Sequence, residues 1–169
     1  MPCRGRNTSW GGGKAEVRLL TSFIKRQVKG SNKKFSKVRD LWTAQDHNGD
    51  LVDAALERHH AMKQHGVVGP LALEYEVNRI QDFNTADFLY FKNFVRIAKA
   101  AEWRENRGSA TRLNRTRDVW YYGNVEDGEM IHAFVDRQGE DCTTVLADAG
   151  GRRLCLSLSQ APLVVIPER

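Results

Sequence analysis

A chain of 169 residues, 41% hydrophobic and 28% charged, has the balance of an ordinary globular protein. Disorder throughout is excluded, and the length allows one compact domain or two small ones. The net charge of +5 is too small to name a partner, but its distribution is uneven. Residues 1–45 hold eleven Lys/Arg against Glu16 and Asp40, a net of +9, and residues 104–117 a net of +4. Residues 46–103 and 118–169 carry −3 and −5.

Residues 1–14, with Gly11 to Gly13 in a row, read as a flexible basic arm without the apolar core of a signal peptide. Lys14 to Lys29 has Val17, Leu20, Ile24 and Val28 at helical spacing, with Gly30 as a stop. Helices are also expected at Phe35 to Gln45, Leu51 to Gln64 and Leu71 to Gln81, the last with a strand-compatible core. A longer one starts near Asn84, which can cap it, and reaches Trp103. Residues 15–103 are thus expected to form a helical lobe of four or five helices.

Residues 104–117 read as a basic linker. From Asp118 the hydrophobic period becomes two, most clearly at Leu154, Leu156 and Leu158, with Asp127-Gly128, Gln138-Gly139 and Gly150-Gly151 as turns. Strands at 118–125, 129–136, 142–147, 152–158 and 162–166 predict a five-stranded antiparallel β-barrel over 118–169, SH3-like or Tudor-like in strand number and spacing only. The expected class is α+β, a helical lobe followed by that barrel.

Four motifs invite chemistry. GGGK before a helix resembles a phosphate loop, but Ala15 replaces the hydroxyl and no strand precedes it. Asp46, Asn48, Asp50 and Glu57 have the 1, 3, 5, 12 spacing of a calcium loop, yet Leu51 stands where glycine makes the turn; an Asn-Gly turn is the better reading. His59, His60 and His65 lack the spacing of a metal site. His132 with Cys142 or Cys155 could pair as base and nucleophile only if strand order brought them together. The three cysteines, Cys3 included, form no CxxC pair and are expected to be reduced in a cytoplasmic or nuclear protein that is not secreted. The longest apolar run, Ala161 to Ile166, falls far short of the roughly 20 residues of a membrane span.

No complete catalytic motif is present and no cofactor is expected. The charge pattern favours a non-enzymatic protein that binds the backbone of RNA or DNA with weak sequence preference. Phosphate contacts are assigned to Arg4, Arg6, Lys14, Arg18, Lys25, Arg26, Lys29, Lys33, Lys34 and Lys37, and in the linker to Arg107, Arg112, Arg115 and Arg117. Trp120 and Tyr121 would stack on bases. The alternative is a protein-interaction or self-assembling accessory protein, viral or phage in kind, whose basic arm meets an acidic partner or another copy.

Overall fold

A computed structural model describes residues 24–38, 49–106 and 116–160. The arm, most of the first two expected helices, Arg4, Arg6, Lys14, Arg18, Arg107, Arg112 and Arg115, and the strand expected at 162–166 lie outside the described residues.

The chain forms a short hairpin, β1 (Ile24–Arg26) and β2 (Phe35–Lys37), then α1 (Gly49–Lys63), β3 (Leu71–Glu76), a single turn α2 (Arg79–Asp82) and α3 (Phe91–Glu105). Four strands follow: β4 (Thr116–Tyr121), β5 (Met130–Gln138), β6 (Asp141–Asp148) and β7 (Arg153–Gln160). The last five strands make one antiparallel sheet in the order β3-β5-β6-β7-β4.

The expected helical lobe and closed barrel are both corrected by this topology. Leu71–Glu76 is a strand because Leu71, Leu73 and Tyr75 alternate with Ala72, Glu74 and Glu76, a period of two that overrides the helix propensity of ALE. It pairs with β5, so a segment expected in the helical lobe forms an edge of the sheet. The sheet stays open because β3 and β4 occupy opposite edges and α3, which connects them by way of flanking loops, lies across the face between.

That face holds the larger core. Phe94, Ile97 and Ala101 of α3 pack on Leu73, Ile131, Ala133, Val135 and Leu146. These sheet residues alternate with outward ones, so the buried set follows from strand parity. On the opposite face Trp120, Val145 and Leu156 are covered by Met62 of α1 and by Val68. Arg58 of α1 pairs with Asp118 at 2.8 Å, and Arg153 donates to the carbonyls of Lys63 and His65 at the helix end.

Two acids in the α3 core make stability pH-dependent. Burial pushes the Cys155 thiol and the Tyr121 phenol up to about 12 each. Both hold their protons more tightly folded than unfolded, so their contribution is complete below the ordinary thiol range and is lost as pH rises toward 12. Urea midpoints are expected to fall above about pH 9, and Cys155→Ala to flatten part of that fall. A midpoint constant from pH 7 to 10.5 would contradict it.

Candidate functional site

The amino end of α3 is built by the turn Asn84 to Tyr90. Asn84 does not cap the helix, which begins seven residues later; its Oδ1 instead accepts the amides of Ala86 at 3.0 Å and Phe88 at 3.1 Å and closes a local turn. The Asp87 amide donates to Asn84 O, Leu89 to Asn124 Oδ1 and Tyr90 to Asp82 O. Every amide from Ala86 to Tyr90 is therefore spoken for. Tyr90 occupies the N-cap without a side-chain cap, so the amides of Phe91 and Lys92 stand at the helix start with no intrahelical acceptor.

The turn is held from three sides. Asp82, fully buried, accepts from Asn78 N, the Tyr75 hydroxyl and Arg96 Nη2, at 2.9, 2.8 and 2.7 Å. The β1–β2 hairpin grips the other side: Arg26 donates to the carbonyls of Ala86 and Asp87 at 2.6 and 2.8 Å, with its guanidinium 4.0 Å above the Phe88 ring. Asn32, 1% exposed, donates to Asp87 O and Val125 O. These bonds hold Asp87 at φ 64, the one left-handed non-glycine among the described residues. On the sheet side Tyr121 of β4 meets Phe94 edge-on and donates from its hydroxyl to Phe91 O at 3.3 Å. With its pKa pushed up to about 12, the phenol stays a neutral donor at ordinary pH.

Of the residues expected at a nucleic-acid interface, Arg26 and Tyr121 are spent inside the protein on this turn and helix start, and the others that are described lie elsewhere. Lys25, Lys29 and Lys34 are exposed on the hairpin and Lys37 ends β2, while Lys33 pairs with Glu129. Arg117 is sequestered against Glu102 on the helix face. Trp120, 9% exposed, is buried beneath Arg58, and Tyr121 points to the opposite face of the sheet.

The other motifs do not assemble a centre. Of the calcium-loop candidates, Asp46 and Asn48 lie outside the described residues and Asp50 and Glu57 lie within the continuous helix α1, and no metal-binding group of carboxylates, imidazoles or thiols occurs among the described residues. His59 stacks on Tyr122 at 4.9 Å. His132 faces Glu74 across β3 and β5 at 3.4 Å, on the side of the sheet opposite Cys142 and Cys155.

No family model matches the chain, and no curated protein matches it. A hypothetical protein from Aquifex aeolicus superposes with a TM-score of 0.50 at 8% identity, over 56% of this chain and 98% of that one. The two share a fold. An acyl-ACP thioesterase from Bacteroides thetaiotaomicron matches with a TM-score of 0.48 at 11% identity, over 58% of this chain. The chain spans only 40% of that protein's length. A Streptococcus mutans protein solved with acetyl CoA matches with a TM-score of 0.46 at 9% identity, over 56% of this chain and 83% of that one.

These findings correct the expectation of a non-enzymatic RNA- or DNA-binding protein, and with it the accessory-protein alternative and its acidic or self-assembling partners. The fold is neither a basic helical lobe nor an SH3-like barrel, and Arg117, Lys33, Trp120 and Tyr121, assigned to nucleic acid, are paired or packed within it. No helix among the described residues is long and apolar enough to cross a membrane.

Sequence reasoning missed Asn32, Asp87, Phe91 and Lys92. The only signal for them was the polar run Asn84 to Asp87 ahead of a long amphipathic stretch, which a helix cap explains equally well.

Proposed function

We propose that this chain is an acyl-thioester hydrolase acting on a thioester of coenzyme A or of a carrier protein. The observation that carries the reading is the amino end of α3, where a rigid turn leaves the Phe91 and Lys92 amides without an acceptor among the described residues, at the positive end of a 15-residue helix. The likeness to an acyl-ACP thioesterase and to a protein bound to acetyl CoA is in keeping with it.

In hydrolysis, water adds to the thioester carbonyl, the oxygen becomes an oxyanion, and collapse breaks the C–S bond to give a carboxylic acid and a thiol. Two preorganised amides and a helix dipole aimed at that oxygen favour the transition state over the ground state. Exposed Lys92, 5.2 Å from the Tyr90 ring centroid, supplies a cation for the phosphates of a coenzyme A or phosphopantetheine arm. Two buried free thiols, Cys142 and Cys155, suit a cytoplasmic site of action.

The test uses proline as an amide eraser. Position 91 is the first of the helix, where proline is tolerated, and Tyr90 already has the extended ψ of 133 that proline requires of its predecessor. Acyl coenzyme A esters of two to twelve carbons are assayed by thiol release. Wild type is expected to turn over, and Phe91→Pro to lose roughly 10²-fold in kcat with KM little changed. A wild-type chain that neither binds nor cleaves any of them, or a Phe91→Pro chain as active as wild type, sinks the reading.

A further inference from the structure

We infer that a second site, for a small oxyanion, lies under the carboxyl end of α3 between Arg137 and Arg117. Strand register sets the two arginines in one row across the helix face: Arg137 of β5 pairs with Cys142 of β6, Cys142 with Ser159 of β7, and Ser159 with Arg117 of β4. The row spans three strand spacings, about 14 Å. Cys142 and Ser159 at its centre are buried, while Arg137 at the β5 end is half-buried, which leaves that end of the row open to solvent.

The charges in this pocket of the core do not balance. Glu102 of α3 is the only carboxylate there among the described residues, because Asp136 and Asp141 project from the other face by parity. Its oxygens already take Arg117 Nη1 and Nη2 at 2.8 and 2.7 Å and the Thr144 hydroxyl at 2.9 Å, while Arg117 Nη1 also donates to Ser157 Oγ at 2.7 Å. Arg137 makes no ion pair with any described residue. Two donors are left over: Arg117 Nε and Arg137 Nε are both buried without a hydrogen-bond acceptor. An unmet buried donor costs about 1–3 kcal/mol, more on a charged group, and such donors call for a ligand to meet them.

Cys142 marks the centre electrically as well. Burial pushes its thiol up, Glu102 adds to this, and Arg137 and Arg117 oppose it, so all three charges surround one point. One monoanion there would neutralise the surplus guanidinium and accept from an Nε–H. The chemistry fits phosphate, sulfate or a carboxylate, and it is independent of the thioester site at the other end of the helix.

Thermal unfolding is measured in inorganic phosphate and, separately, in acetate, against sodium chloride at equal ionic strength. A saturable rise in Tm, about 3 °C or more once the anion exceeds its Kd tenfold, is expected in at least one arm. The arm that saturates first names the source, a phosphate or a carboxylate. Arg137→Met should lose the rise, and Arg137→Lys, which keeps the charge without the Nε–H, should weaken binding at least about tenfold. No rise in wild type, a rise matched by chloride, or a rise kept in Arg137→Met overturns the site.

Discussion

Arg117→Ala is expected to destabilise the protein by about 3–5 kcal/mol, read as a lower midpoint in urea or guanidinium unfolding. The arginine and its partner Glu102 keep only 11% and 9% of their side chains exposed, and their bidentate pair joins α3 to the edge strand β4. Removing one partner leaves the Glu102 carboxylate in the core with Thr144 as its remaining donor. The loss therefore measures a stranded charge rather than the worth of the pair. Replacing both, as Glu102→Leu with Arg117→Met, should recover most of it, since apolar groups of similar size fill the same space without desolvation. If the single variant costs less than about 1 kcal/mol, the pair is solvated and this account of the core fails.

Gly69→Ala should be comparably damaging although the residue is exposed. Its φ of 80 is in the left-handed region, and a Cβ there would lie 2.1 Å from Val135 O and 2.7 Å from Asp136 N, backbone atoms of β5 that cannot step aside. The neighbouring Pro70 O accepts the Val135 amide at 3.1 Å, so the added methyl pushes β3 off the strand that anchors it. About 2–4 kcal/mol is expected, against about 1 kcal/mol for Gly128→Ala, also left-handed at φ 75 but facing open space, where the left-handed penalty alone acts. Equal losses at the two positions would show that backbone conformation alone, and not the approach of β3 to β5, sets the cost.

The legible parts of this chain are those with local causes. Alternation in Leu154, Leu156 and Leu158 marked a strand, and the apolar spacing before Trp103 marked a helix, though its start was placed at Asn84, where the chain forms a separate turn before α3 begins at Phe91. Leu71–Glu76 was misread because six residues of ALE-rich sequence satisfy either period, and what decides is β5, sixty residues away. Basic charge misled for a related reason. Arg117, Arg26 and Lys33 count as +3 in any composition, yet one is buried against Glu102, one grips carbonyls and one meets Glu129. The candidate site was hidden because the groups proposed to act there are backbone amides, which every sequence possesses, and only the accounting of their acceptors shows which are left over.

The strand order has a temporal consequence. β3 leaves the ribosome well before β5, its one strand partner among the described residues, and α3 lacks most of the sheet it lies on until residues 130–160 exist. The first half of the chain therefore waits through the synthesis of the second with an apolar helix face and an unpaired strand edge uncovered. Pairing at such separation is intrinsically slow, so the interval before β5 forms is when this protein is most exposed to aggregation, and truncation before residue 130 removes the strand with which β3 pairs.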